Sequence, residues 1–233
     1  MKKFTKLLGI MLLSTALLFG GTASATEDED VAKKDNPIHF LNGEYNGVLS
    51  PLTFLTPKAA YMNLYSGITV ADYIKMSSDF TKLRDYTDVR TVFININSPG
   101  GSAFDGLSIS DLIDSMEAGG FDITAMASGI IASAAVPIYA ACNKRVASDG
   151  AMFMVHEVSL WKRGSESASD IVTQGKMIEK LQCRYASILA ANSNISAEEW
   201  LLKMKGTTWF TAAEARAWGL IERAGEKLIK DLR

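Results

Sequence analysis

The stretch Thr91-Val92-Phe93-Ile94-Asn95-Ile96-Asn97-Ser98-Pro99-Gly100-Gly101 decides how the chain folds. Thr91, Val92, Phe93, Ile94 and Ile96 are β-branched or aromatic strand formers, and Ser98-Pro99-Gly100-Gly101 ends the run with turn-forming residues. Downstream, Phe104, Leu107, Leu112, Ile113 and Met116 recur at helical spacing as far as Gly119-Gly120, where glycine can take a left-handed cap. Residues 121–127 read as another strand and 132–142 as an apolar helix. Residues 145–148 and 152–155 read as short strands around the Asp149-Gly150 turn. Upstream, 61–65 reads as a strand, Ser66-Gly67 as a turn, and 70–84 as a helix with Tyr73, Ile74, Met76 and Phe80 apolar. After a polar stretch at 162–169, a long helix near 171–192 carries Ile171, Ile178, Leu181, Tyr185 and Ile188 on one face. Ser196-x-x-Glu199 and Thr211-x-x-Glu214 are capping-box patterns that open two more helices, and Gly219 ends the last. Repeated strand–helix alternation needs crossover connections, which predicts an α/β fold with parallel strands covered by helices.

The bulk composition fits one such domain. The chain has 233 residues, 48% hydrophobic and 21% charged, with 18 Gly and 5 Pro, so disordered, collagen-like and coiled-coil classes are disfavoured. Its 24 basic residues face 26 acidic ones, which argues against a nucleic-acid partner. Two cysteines, Cys142 and Cys183, cannot build a disulfide scaffold, no C-x-x-C pair points to zinc, and whether the two pair is open. No metal or other cofactor is implied.

The N-terminus has the three-part layout of a signal peptide: Lys2, Lys3 and Lys6, an apolar run over 7–19, and small residues ending Ala23-Ser24-Ala25. Cleavage is expected after Ala25, giving a periplasmic or secreted product that opens on the acidic run Glu27-Asp28-Glu29-Asp30. The expected organisation is a signal peptide at 1–25, an acidic leader and irregular extension at 26–60 with room for one hairpin, a domain at 61–225 and a tail at 226–233.

A nucleophilic hydrolase that needs an imidazole base has little choice here. Only two histidines exist, and His39 lies in the irregular extension, whereas His156 closes the run Met152-Phe153-Met154-Val155, a reasonable position for a general base. Leu160 stands where a zinc-binding H-E-x-x-H helix would need its second histidine. In Ser128-Gly129-Ile130-Ile131-Ala132-Ser133-Ala134-Ala135, Ser133 sits among small residues where a strand gives way to a helix. Negative charge is best tolerated at such a helix start. Gly100-Gly101 lets backbone approach a ligand and could direct N–H groups at an oxyanion, although a glycine pair alone is more often a turn. No G-x-S-x-G elbow and no phosphate-binding glycine motif occurs.

Taken together, these segments resemble the proteolytic subunit of the Clp protease, ClpP. The resemblance rests on Ile94-Asn95-Ile96-Asn97-Ser98-Pro99-Gly100-Gly101, Ala132-Ser133-Ala134, Met154-Val155-His156, Phe210-Thr211-Ala212-Ala213-Glu214-Ala215 and Trp218-Gly219-Leu220, in that order, and covers roughly residues 61–223. It implies the ClpP/crotonase-like fold, Ser133 as nucleophile, His156 as base, and an oxyanion hole from the amides of Gly101 and Ala134. It implies a homo-oligomeric ring, with the long helix as the handle between rings, and peptides or unfolded proteins as substrates. An exported chain would have no ATP supply, so no ATPase partner is expected.

The resemblance departs at the third triad member. The family's aspartate falls on Lys203, or on Lys205 with a shorter spacing. Glu199 or its neighbour Glu198 could substitute, the pair Ser133–His156 could act as a dyad, or the domain could be a catalytically silent binding module. A Ser–Lys arrangement using Lys162 or Lys176 matches no motif. A crotonase-type acyl-CoA enzyme would use similar paired amides but fits poorly with export and with a serine–histidine pair.

Overall fold

The computed structural model describes residues 52–160 and 164–222. Along the chain come β1 (Thr53–Thr56), β2 (Ala59–Leu64), α1 (Val70–Tyr86), β3 (Thr91–Ser98), α2 (Ala103–Ala118), β4 (Asp122–Ala132), α3 (Ala135–Ala141), β5 (Lys144–Ala147), β6 (Met152–Val155), α4 (Ala168–Ala191), α5 (Ala197–Lys205), β7 (Thr208–Thr211) and α6 (Ala212–Ala217). The expected signal peptide, residues 26–51 of the leader, His39, Lys162 and the tail at 226–233 lie outside the described residues.

The seven strands form one sheet in the order β1-β2-β3-β4-β6-β7, with β5 also paired to β4. Pairs β2–β3, β3–β4, β4–β5 and β4–β6 are parallel, and only the outer pairs β1–β2 and β6–β7 are antiparallel. This is the α/β architecture expected from the sequence. Among the described residues, β1 and β2 form a hairpin that extends the sheet ahead of residue 61.

The central strand β3 shows why the sheet forms here. Ile94 and Ile96 point into the core with no exposure, while Asn95 is half-buried and Asn97 exposed on the opposite side. Strand β4 is longer than the predicted 121–127 and changes neighbours part-way. Thr124 to Ala127 pair with β5, and Ile130 to Ala132 pair with β6. Against β3 its register is broken: Ile96 lies opposite Ala127 but Ser98 opposite Ile131, so β4 bulges between these pairs.

That longer strand shortens the helix after it. The sequence suggests a helix from Ala132, but Ala132 is still strand and α3 begins at Ala135. Between them Ser133 has φ +54°, outside the right-handed helical region, and its N–H donates to Met154 O at 2.8 Å. All seven residues of α3 are buried.

Two predicted apolar faces need correction. In α1, Met76, Phe80 and Leu83 are buried but Ile74 faces solvent, 60% exposed. Buried Asp79 on that helix is held by Lys75 at 3.0 Å and Lys82 at 3.7 Å. In α4 only Tyr185, Ala186 and Leu189 are buried and Ile171 is exposed, so its apolar face is seated over its C-terminal half alone.

The floor beneath β6 is aromatic. Phe153 packs edge-on against Tyr139 at 5.4 Å and stacks on Phe210 at 5.3 Å, and Phe210 touches Trp218 at 4.7 Å. Such pairs add to the hydrophobic gain from burying the rings. Arg145 on β5 ties the segment after α6 to α3: Nε donates to Leu220 O at 2.8 Å, and Nη1 to Cys142 O at 2.5 Å and Ala140 O at 3.4 Å. Helix ends leave carbonyls unpaired, and this guanidinium supplies donors for two of them. Arg145→Met should therefore lower unfolding free energy by about 2–4 kcal/mol, measured by urea denaturation, because buried carbonyls lose a charged donor.

Glu117, at the end of α2, is half-buried and accepts the Asn143 N–H at 2.7 Å. Burial pushes its carboxyl up to about 7, with the charges of Asp114 and Asp122 adding to the rise and the Asn143 N–H and Arg145 opposing it. The folded state thus holds this proton more tightly than the unfolded chain, so stability is greatest below the ordinary glutamate range and falls as pH rises toward 7 and beyond. Glu117→Gln keeps an acceptor for Asn143 and removes the titration. Thermal melts should show the variant more stable than the wild type at pH 8, by about 1 kcal/mol after allowing for partial solvent exposure, with the difference gone below the ordinary glutamate range, at about pH 4.

Candidate active site

The site begins with two glycines that have no room for a side chain. Gly100 has φ +89°, and a Cβ there would stand 2.6 Å from Ser133 Cβ and 2.9 Å from Ala134 N. On the other side, a Cβ on Gly101 would meet the backbone of Ile68, with Ile68 N at 2.6 Å. The end of β3 is therefore pressed between the segment before α1 and the turn that carries Ser133. Ile68 N donates to Gly100 O at 2.8 Å, and Ser102 N to Ile68 O at 2.9 Å. These bonds use the residues flanking Gly101, which in a parallel bridge turns the N–H of Gly101 to the opposite side. Gly101 and Ser133 line the same cleft.

His156 follows directly on β6, whose Val155 is buried and whose Phe153 is fixed by the aromatic floor. Its Nε2 lies 2.8 Å from Ser133 Oγ, within the reach needed for direct proton transfer. Both residues are half-buried, and Ala134, the residue after the serine, is buried. The cleft has a volume of about 230 Å³, and beyond Gly101, Ser133 and His156 its walls include Pro137, Tyr185, Leu189 and Met204. Tyr185 donates to Ala103 O at 3.1 Å, and burial raises its phenol, which keeps this wall uncharged. The arrangement can move a proton between Ser133 and His156 beside backbone amides and a mostly apolar wall.

The remaining candidates lie elsewhere. Lys203 sits with Nζ 4.2 Å above the Trp218 ring and 3.6 Å from Glu199 Oε1. Ser196 accepts the Glu199 N–H at 3.2 Å, as the capping pattern expects, while the Glu199 carboxylate faces Lys203. Glu198 lies in the same first turn of α5 and Lys205 at its end. Among the described residues no carboxylate hydrogen-bonds or ion-pairs with His156. Lys176 lines a different groove with Thr173, Lys180 and Arg184. Cys142 is buried and Cys183 exposed, and both are free thiols. Among the described residues no group of three or more His, Cys, Asp or Glu could hold a metal ion, and no helix is long and apolar enough to cross a membrane.

Sequence reasoning missed Ile68 and Met204 as parts of the site. Ile68 is found only through the backbone pairing to Gly100 and Ser102, which leaves no side-chain signature. Met204 adjoins the Lys203 position and reads as an ordinary apolar residue of α5.

The family model described as Clp protease matches residues 55–227. The chain is 32% identical to the ATP-dependent Clp protease proteolytic subunit 3 of Rhodococcus jostii over 136 residues, covering 58% of this chain and 65% of that protein. It is 30% identical to the ATP-dependent Clp protease proteolytic subunit of Bacteroides fragilis over 171 residues, covering 72% of this chain and 79% of that protein. The corresponding subunit of Bacteroides thetaiotaomicron is 31% identical over 171 residues, 72% of this chain and 74% of that protein. Together with a parallel-centred sheet whose β3, β4 and β6 ends bring Gly101, Ser133 and His156 to one cleft, these matches establish that the chain belongs to the Clp protease family.

Proposed function

We propose that this chain is a serine endopeptidase that hydrolyses peptides or unfolded proteins through an acyl-enzyme on Ser133. The observation that carries the reading is the 2.8 Å contact between Ser133 Oγ and His156 Nε2, beside Gly101 and Ala134. Oγ attacks the scissile carbonyl carbon while its proton passes to Nε2, and the negative charge that develops on the carbonyl oxygen is met by the Gly101 and Ala134 N–H groups. The C–N bond then breaks as His156 returns the proton to the leaving amine. Water, giving its proton to His156, attacks the ester and frees the serine. Leu181, Tyr185, Leu189 and Met204 make the cleft largely apolar, which supports an uncharged side chain next to the bond that is cut.

In this reading the enzyme is a Ser133–His156 dyad. Nothing acidic among the described residues holds the imidazole, and loss of that role costs a serine–histidine–aspartate enzyme on the order of 10⁴ in rate. The same feature favours a second reading, a catalytically silent module that keeps the fold for assembly and binding. We further propose that the chain is exported, is cut after Ala25 and works in the periplasm or outside the cell without an ATPase partner. The proposed assembly is a homo-oligomeric ring.

Labelling by a fluorophosphonate probe separates the two readings. Purified mature protein should be labelled, Ser133→Ala should give no adduct, and His156→Ala should label more slowly by about 10²–10⁴-fold. A folded wild-type protein that shows no Ser133-dependent adduct would establish the silent module instead. Recovery of a chain beginning at Thr26 from the exported fraction is the expected result for localisation, and full-length protein in the cytosol would overturn it.

A further inference from the structure

The bulge in β4 is the place where the fold commits the nucleophile to its partner. Two steps along β3, from Ile96 to Ser98, are matched by four along β4, from Ala127 to Ile131. Up to Ala127 β4 runs beside β5, and from Ile130 it runs beside β6. It then reaches Ser133, whose N–H is bonded to Met154 O two residues before His156. Without the two extra residues the serine would shift along the strand by about 7 Å, at roughly 3.3 Å per residue, and lose its 2.8 Å contact with His156.

Two asparagines on the outer side of β3 hold this bulge. Asn97 Oδ1 accepts the Ile130 N–H at 3.0 Å, the first β4 residue registered with β6. Its carboxamide also lies against Gly129, where φ is +71° and a Cβ would come within 2.7 Å of Oδ1. Two residues earlier, Asn95 Oδ1 accepts Ser128 Oγ–H at 2.9 Å, and Asn95 Nδ2 donates to Tyr65 Oη. Ser128 and Ile130 are thus each held by a side chain of β3, and Gly129 lies between them against the Asn97 carboxamide. Asn97 is exposed and contributes little to the core, so its contacts bear on the shape of this segment more than on stability.

We propose that Asn97 is a positioning residue for Ser133: by accepting the Ile130 N–H it fixes the bulge that moves β4 from β5 to β6 and so delivers Ser133 to His156. Asn95 supports the same segment from the Ser128 side. The proposal rests on Ser133 being the nucleophile for its rate consequence, but its structural consequence is independent of catalysis.

The test uses the full mature chain and compares Asn97→Ala with Asn97→Asp, which keeps the acceptor. The maximal rate of fluorophosphonate labelling at Ser133 should fall by about 10²-fold in Asn97→Ala, the scale of a misplaced reacting group, and be largely restored in Asn97→Asp. The half-saturating probe concentration should stay unchanged, since Tyr185, Leu189 and Met204 are untouched. Amide hydrogen exchange should become faster at 130–133 in Asn97→Ala, with the rest of the sheet unaffected, and return to wild-type rates in Asn97→Asp. Wild-type labelling together with wild-type exchange in Asn97→Ala would overturn the proposal. Should the wild type carry no adduct at Ser133, the nucleophile reading fails by itself and the exchange data alone decide the role of Asn97. Should Asn97→Ala not fold, Asn97→Gln takes its place, since its longer side chain displaces the acceptor. Slowed labelling and faster local exchange in that variant support the proposal, and wild-type behaviour in both overturns it.

Discussion

The site depends on one steric constraint: nothing larger than hydrogen fits between the end of β3 and the turn that carries Ser133. Gly100 meets Ser133 and Ala134 on one side while Gly101 meets Ile68 on the other, so three backbone segments converge without intervening side chains. This closeness brings Gly101 and Ser133 to the same cleft. A site that stabilises charge with backbone N–H groups needs such convergence, because those groups cannot extend toward a substrate as a lysine or arginine can. The sheet supplies the rigidity, since parallel strands β2, β3 and β4 fix the height at which each segment ends.

How far the sequence could be read follows from what each feature depends on. The strand–helix alternation is local, and the order of elements from β3 to α5 was legible because hydrophobic spacing and turn residues encode it, whereas the four-residue strand β7 was not. The meeting of Ser133 and His156 was legible because only two histidines exist and because the surrounding motifs resemble a known family. The start of α3 was misplaced because Ala132-Ser133-Ala134 has good helical composition, whereas the left-handed φ of Ser133 is imposed by the ladder to Met154 O. The exposure of Ile74 and Ile171 was hidden for a similar reason: periodicity defines an apolar face but not how much of it has something to pack against. The bulge in β4 leaves only Gly129 and two asparagines as traces, none of which announces a change of strand partner.

The lysine at the expected aspartate position is well accommodated. Lys203 rests over Trp218, within the aromatic cluster that supports β6, and pairs with Glu199 one helical turn earlier. A cation over an indole face is a favourable contact, so the position has a structural role of its own. Its environment differs from one built to orient an imidazole, since its charge is directed at a ring and a carboxylate on its own side of α5.

Arg145 gives the fold an order in time. It bonds carbonyls at the end of α3, the helix that follows Ser133, and also Leu220 O, with Glu222 Oε1 3.3 Å from its Nη2. The helix after Ser133 is therefore completed by residues some 80 positions further along the chain. During synthesis Ser133 and His156 both leave the ribosome well before Leu220 does. The nascent chain thus carries both residues for an interval in which the latch beneath them is still missing, and that latch closes only in a chain made through to residue 222.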